Sequence, residues 1–138
     1  MRAFKFVAVL LPLLLTVSAC ENEFDNIPTT PDPVTVTETF SGTININGAA
    51  THTFFTSATG TVTATLTSLG DNPPAQVGFS VGTFAGSSCS LLITNDKAVV
   101  TSVVVGVVTT LGGSLCVRIY DVGSLTESVP YEIRVEHK

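Results

Sequence analysis

The stretch GTVTATLT, residues 60–67, decides the fold of this chain. Its apolar residues Val62, Ala64 and Leu66 alternate with four threonines, so the two sets lie on opposite faces of an extended chain. A period of two is typical of a β-strand with one buried face. The stretch therefore predicts a half-buried strand.

Short runs of similar character occur along the rest of the chain, separated by clusters of Gly, Asn, Asp and Pro. They cover residues 35–46, 51–56, 76–84, 90–94, 99–108, 115–120 and 131–135. No window of ten or more residues carries a helical apolar stripe. Eight or nine strands at this spacing predict an antiparallel β-sandwich or barrel. The run 99–108 is the most hydrophobic, and we interpret it as a core strand buried on both faces.

Two runs near the C-terminus predict a specific strand pair. Apolar and polar residues alternate in residues 115–120 and again in residues 131–135. We expect these runs to pair in antiparallel fashion through the loop between them. Arg118 would then face Glu132 or Glu136 across the two strands.

Length and composition indicate one small domain. The chain has 138 residues, of which 44% are hydrophobic and 12% charged, and its mean hydropathy is +0.47. Apolar residues in short alternating runs exclude both a disordered chain and a multi-span membrane protein. Six Lys and Arg stand against eleven Asp and Glu, a net charge of −5, so the sequence predicts no nucleic-acid partner.

The first twenty residues have the pattern of an export signal. Arg2 and Lys5 precede an apolar stretch at residues 6–17, which is short for a membrane span. The following residues, Val17-Ser18-Ala19-Cys20, resemble the lipobox of bacterial lipoproteins. An ordinary signal peptide with an incidental cysteine is the alternative.

The lipobox resemblance implies that residues 1–19 are a signal peptide, that Cys20 receives diacylglycerol, and that the new N-terminus is acylated. Several acyl chains make a stable membrane anchor. In some Gram-negative bacteria an Asp after the lipidated cysteine retains the lipoprotein in the inner membrane. Position 21 is Glu, so the resemblance favours the outer membrane as the destination.

Residues 20–37 predict a flexible acidic tether, rich in Pro and Thr, that precedes a β-sandwich domain at residues 38–138. The segment has too few bulky apolar residues to fold alone, and its prolines favour an extended chain. Its acidic residues also resemble the surface-export signals of some bacterial lipoproteins. An acidic linker that simply stays solvated is the alternative.

The order of the strand-like runs resembles that of bacterial pre-peptidase C-terminal domains. The matching segments are Phe40-Ser41-Gly42-Thr43-Ile44, His52-Thr53-Phe54, Gly60 with Val62-Thr63-Ala64-Thr65-Leu66, Val77-Gly78-Phe79-Ser80-Val81, Gly113 with Cys116-Val117-Arg118-Ile119-Tyr120-Asp121, and Tyr131-Glu132-Ile133-Arg134-Val135. The resemblance implies an antiparallel jelly-roll-like β-sandwich of about eight strands. Such domains accompany secreted proteases and other exoenzymes, where they are linked to secretion, to substrate or matrix binding, and sometimes to calcium. This chain departs from the pattern because no peptidase domain accompanies it.

The chain has three cysteines, one in the N-terminal segment and two in the predicted β-sandwich domain. If Cys20 carries lipid, Cys89 and Cys116 remain, and an exported protein keeps such a pair oxidised. We therefore predict a disulfide between Cys89 and Cys116. A metal site is the alternative, but neither a further cysteine nor a nearby histidine accompanies them.

Residues with catalytic chemistry are sparse. The motifs G-x-S-x-G, H-E-x-x-H and C-x-x-C do not occur, and the histidines are His52 and His137. We interpret His52 as a structural residue at an edge or half-buried position, and the penultimate residue His137 as frayed. The sequence predicts no enzymatic activity.

Two kinds of small ligand stay open. The chain has no Trp and only Tyr120 and Tyr131 as tyrosines, which disfavours a glycan ligand without removing it. Asn95, Asp96 and the loop that begins at Asp121 offer oxygen ligands for calcium, although these residues are also ordinary turn formers. No other cofactor is predicted.

These observations predict a non-catalytic, lipid-anchored module of the bacterial envelope or cell surface that binds a protein or glycan, with adhesion as the first hypothesis. The alternative is a periplasmic accessory subunit of an envelope protein complex. In both cases the lipid anchor makes the membrane a partner.

Overall fold

Eight β-strands and no helix form the part of the chain that the computed structural model describes, residues 30–138. The strands are β1 (Val36–Ile44), β2 (Ala49–Thr56), β3 (Gly60–Ser68), β4 (Val77–Ala85), β5 (Ser88–Ala98), β6 (Val103–Val108), β7 (Gly113–Tyr120) and β8 (Val129–His137). They belong to one unit, Asp32–Lys138. No helix capable of crossing a membrane occurs in these residues.

The strands form two antiparallel sheets of four. The first sheet has the order β1-β8-β3-β6 and the second has the order β2-β7-β4-β5. Most consecutive strands lie in opposite sheets, which is the connectivity of a jelly roll. The prediction of an antiparallel jelly-roll-like β-sandwich is confirmed. The first strand begins at Val36, so the last two residues of the predicted tether already pair with β8.

The core lies between the inward faces of the two sheets. On β3 the residues Val62, Ala64 and Leu66 are at most 1% exposed, so the half-buried strand predicted there is confirmed. Phe79 of β4 and Ile119 of β7 are fully buried in the same core. Burying one such large apolar side chain contributes roughly 1.5–3 kcal/mol to stability.

The predicted pairing of the last two strands is wrong. β7 pairs with β2 and β4 in the second sheet, whereas β8 pairs with β1 and β3 in the first sheet. The loop between them crosses from one sheet to the other, so their apolar faces meet across the core. Arg118 therefore lies on the opposite side of the sandwich from Glu132 and Glu136. Period-two alternation is the same for strands that pair and strands that pack face to face.

The interpretation of residues 99–108 as one strand buried on both faces is also wrong. Val99 to Ser102 form the turn between β5 and β6, and Thr101 adopts a left-handed φ of 75°. The amide of Leu66 donates to the carbonyl oxygen of Ser102 at 2.9 Å, which ties this turn to β3. β6 is an edge strand whose outward side chains are exposed, with Val107 at 73%. β5 in turn continues through Asn95 and Asp96, beyond the run 90–94 that the sequence predicts.

The Cys89–Cys116 disulfide is present and links β5 to β7. The strand β4 lies between them in the sheet order, and strands two places apart in a flat sheet are roughly 9–10 Å apart. The two Cα atoms are nevertheless only 5.9 Å apart. Gly82 of β4 makes this approach possible, because a Cβ there would lie 2.1 Å from the carbonyl oxygen of Ser90. The β4–β5 hairpin therefore bends over the outward face of β7.

The two faces of β8 predict opposite responses to substitution. Ile133 is fully buried, whereas Glu132 is exposed. We expect Ile133→Asp to unfold the domain, because an unpaired buried carboxylate costs more than about 4 kcal/mol of a total near 5–15 kcal/mol. The control Glu132→Gln should change stability by about 0.5 kcal/mol or less. Urea unfolding followed by circular dichroism measures both, and equal sensitivity would contradict the assigned inward face.

The disulfide predicts a large effect of reduction on stability. Cys89 and Cys116 are 27 residues apart in sequence, and closing such a loop restricts the unfolded chain by about 3.5 kcal/mol. We expect reduction, or the double variant Cys89→Ser and Cys116→Ser, to lower the melting temperature by roughly 15 °C or more. Calorimetry measures the shift, and mass spectrometry of untreated protein should find the two peptides linked. Alkylatable thiols at both positions in protein isolated without reductant would contradict the bridge.

Candidate functional site

The outward face of the second sheet carries large side chains in the middle and small ones on either side. Tyr120 and Arg118 of β7 point outward, away from the core residues Val117 and Ile119. The residues beside them in register are Ala49 and Thr51 on β2, and Gly78 and Ser80 on β4. This arrangement leaves the two β7 side chains room to lie flat on the sheet.

Tyr120 covers β4 and is held by a hydrogen bond. A Cβ at Gly78 would lie 2.0 Å from the Tyr120 ring, so the ring fills the space above that glycine. The Tyr120 hydroxyl donates to Oδ1 of Asp96 on β5. Burial and this carboxylate raise the pKa of Tyr120 to about 12. The hydroxyl therefore stays protonated at neutral pH and keeps Asp96 turned toward it.

Arg118 is half-buried between Tyr120 and the β4–β5 hairpin. Its guanidinium carbon lies 5.9 Å from the centre of the Tyr120 ring, within range of a cation–π interaction. Its Nε is buried and makes no hydrogen bond. Within residues 30–138 no carboxylate lies within 4.0 Å of the guanidinium; Glu136 lies beside Arg134, and Glu38 lies beside the His137 ring. Arg118 is thus a partly desolvated cation without an internal counter-ion.

The bent hairpin and the sheet border an open groove, which we call the hairpin groove. It has a volume of about 600 Å³. Its lining residues are Ala49, Thr51 and Thr53 of β2, Arg118 of β7, and Phe84, Ser87, Ser88 and Cys89 of the β4–β5 hairpin. Arg118 is the single charged side chain among them, and the disulfide fixes the hairpin wall. The groove is therefore a polar, cationic cleft on an acidic protein.

A second groove lies on the other side of Arg118, toward the loops that follow β1 and β7. It has a volume of about 350 Å³ and is lined by Asn47, Gly48, Ala49, Leu91, Arg118, Tyr120 and Asp121. Asp121 supplies a carboxylate to this groove, so the two grooves differ in charge.

Asp121 holds the two loops together through its carboxylate. Oδ2 accepts the amide of Asn47 at 2.8 Å, and Oδ1 accepts the amides of Gly123, Ser124 and Leu125 at 2.8, 2.9 and 3.1 Å. The Asn47 amide and the three others lower the pKa of Asp121, because they stabilise the ionised form. The role of this residue in the structure is to crosslink loops.

The three residues named as calcium candidates have separate environments. Asp121 faces loop amides, Asp96 accepts the Tyr120 hydroxyl, and Oδ1 of Asn95 accepts the amide of Lys97 at 3.0 Å. In the part of the chain that the structure describes, no three His, Cys, Asp or Glu side chains come close enough to hold a metal ion.

Both histidines lie where β1 and β2 close one side of the sandwich. His52 is half-buried on the edge strand β2, as expected, and stacks on Phe40 with ring centres 5.0 Å apart. Its Nε2 shares a hydrogen bond of 2.7 Å with the Tyr131 hydroxyl. Burial lowers the pKa of His52 and raises the pKa of Tyr131, which favours the neutral form of both.

The expectation that His137 is frayed is wrong. His137 is the last residue of β8 and is 3% exposed. Its Nε2 lies 2.8 Å from Oε1 of Glu38, and its ring packs against Phe54 at 5.2 Å. Pairing with β1 through Val36 anchors this end of the chain.

Sequence reasoning missed the hairpin groove. Arg118 was assigned to a strand pair with β8, and its true neighbours Thr51 and Ser80 are distant in sequence. The signal available was the small outward triplet Gly78, Ser80 and Gly82 on β4, which is buried despite facing away from the core. Such a triplet indicates that neighbouring side chains or backbone cover the outward face of the strand.

No protein-family model matches the chain, and no curated protein matches it. The lipobox residues and Cys20 lie outside the described residues. The resemblances to bacterial lipoproteins and to pre-peptidase C-terminal domains therefore stay predictions.

Asp121 predicts a specific pH dependence of stability. A carboxyl whose pKa is lower in the folded state stabilises the fold above its unfolded pKa of 3.8, and this contribution is lost as pH falls through the folded pKa. We expect Asp121→Asn to unfold at a lower temperature than wild type at pH 7, and the difference to disappear in acid. Thermal unfolding between pH 7 and pH 2 measures this. Asp71→Asn in the β3–β4 loop is the control, and a difference that persists at the lowest pH would contradict the assigned role.

Proposed function

We propose that this protein is a non-catalytic binding module, held in the bacterial envelope by a lipid on Cys20, and that the hairpin groove is its ligand site. The observation that carries the proposal is Arg118, a half-buried cation without an internal counter-ion in a groove of about 600 Å³. The volume lies in the range of ligand clefts, which are mostly apolar, whereas this groove is mostly polar and so suits a polar ligand. The disulfide supports this role, since it fixes one wall before any ligand arrives.

The position of the chain ends suits a module at the end of a tether. Thr35, which precedes β1, lines the same cavity as Gly60 and the C-terminal Lys138. The loops after β1, β3, β5 and β7 lie at the other end of the strands. The β4–β5 turn beside the hairpin groove lies at the same end as Thr35, and adhesion to a matrix or a neighbouring surface is the first function that we assign to the tethered module.

One observation favours the second candidate, an accessory subunit of an envelope complex. β6 is a free edge whose outward residues Val103, Val105 and Val107 are 48%, 50% and 73% exposed. Natural edge strands usually carry a charge, a proline or a bulge that prevents pairing with another chain. β6 has none of these, so a partner strand could add to the first sheet there.

The binding role and the anchor can be tested separately in whole cells. Full-length wild type, Cys20→Ser and Thr51→Trp are treated with a cross-linker, and the cells are fractionated. We expect wild type in the membrane fraction with a cross-linked adduct. Cys20→Ser should leave the membrane fraction or fail to mature. Thr51→Trp, which fills the groove floor, should stay at the membrane but lose the adduct.

The matched control is Thr39→Trp, an outward threonine on the edge strand of the first sheet, which should keep both the location and the adduct. An adduct unchanged in Thr51→Trp would overturn the groove as the ligand site. Protease added to intact cells separates the two candidates, because a surface adhesin is degraded and a periplasmic subunit is protected.

A further inference from the structure

We propose that the ligand of the hairpin groove is a polysaccharide that carries carboxylates, of the polyuronate class, and that Arg118 binds one carboxylate of it. This inference rests on the proposed function of the groove. It follows from the charge, the shape and the polar groups of the lining residues.

The positive charge of the hairpin groove favours an anionic ligand. In the described chain Arg118 is the one charged residue that lines the hairpin groove, and no carboxylate lies within 4.0 Å of its guanidinium. The carboxylate of Asp121 lines the second groove, where the loop amides hold it. An anionic group is therefore attracted to the hairpin side of Arg118 and repelled from the other side.

The geometry of arginine favours a carboxylate. A guanidinium is a planar fork whose parallel N–H groups match the two oxygens of a carboxylate. Contact with the Tyr120 ring holds Arg118 across the sheet, so less side-chain freedom is lost on binding. A single arginine supplies one such contact, so the groove binds one carboxylate of the chain and the other carboxylates stay in solvent.

The remaining lining residues suit a sugar chain. Thr51, Thr53, Ser87 and Ser88 place hydroxyl groups along the groove, and each hydroxyl can donate or accept a hydrogen bond with a sugar hydroxyl. The half-buried Phe84 ring supplies an apolar surface for the carbon face of a sugar. From Ala49 to Thr53 the floor extends roughly 13 Å along β2, which admits a few sugar units in an extended chain.

The test measures binding of the full-length, detergent-extracted protein to polygalacturonate and to its fully methyl-esterified form, which has the same backbone without the charge. We expect wild type to bind polygalacturonate and Arg118→Gln to bind it at least tenfold more weakly. Arg118→Lys keeps the charge but loses the fork, so it should bind at an intermediate level. Binding of the methyl ester should be weak and insensitive to either substitution. Added salt should weaken the wild-type interaction.

Three controls keep the test specific. Arg134→Gln, on the outward face of the first sheet, should bind like wild type. Thr51→Val removes one hydroxyl and should weaken binding a few-fold. Polyglutamate presents carboxylates on a peptide and should bind more weakly than polygalacturonate. If Arg118→Gln lowers the melting temperature strongly, Arg118→Lys and the methyl ester still decide the question.

Equal binding by wild type and the Arg118 variants, equal binding of the acid and its methyl ester, or tighter binding of polyglutamate would each overturn the polyuronate assignment. Absence of polygalacturonate binding would overturn it as well. In those cases a cross-linked adduct that still depends on Thr51 would leave the groove as a ligand site for another molecule. Loss of that dependence would overturn the proposed function itself.

Discussion

The packing of four central strands, β8 and β3 against β7 and β4, is the constraint on which the rest of the structure depends. Their inward residues form the core, and Ile133, Ile119, Leu66 and Phe79 are all fully buried there. Because each sheet has one apolar face, neither is stable without the other. The edge strands are then left as two open sides. Aromatic and histidine side chains close the side of β1 and β2, whereas the side of β5 and β6 keeps a small apolar cleft of about 60 Å³.

The candidate site arises from an exception to this scheme. β4 is buried on both faces over its first six residues, although the second sheet has a partner on one face only. Its outward residues are small, so Tyr120 can lie over Gly78 and the β5 backbone can lie over Gly82. The disulfide fixes that second contact. One strand with small outward residues thus lets the sheet bend, and the bend creates the wall of the hairpin groove.

Much of the fold could be predicted from the sequence, but the strand pairing and the site could not. Alternation identified the strands and the inward residues such as Val62, and cysteine parity identified the disulfide. Strand pairing could not be predicted, because apolar and polar residues alternate around Val117 and around Ile133 in the same way whether the two strands share a sheet or face each other. Arg118 meets Thr51 and Ser80 through register across three strands, and no local pattern encodes that register.

The strongest reason to regard Arg118 as functional is that the fold does not need its charge. Residues 98–117 contain no charged side chain, and the chain then places an arginine at the centre of a sheet, where its Nε is buried without a partner. A neutral polar residue would fill this outward position at less desolvation cost, as Ser80 does beside it. Within residues 30–138 no carboxylate lies within 4.0 Å of the Arg118 guanidinium, whereas Arg134 has Glu136 at that distance. A half-buried charge without a nearby carboxylate is expected at a site selected for binding.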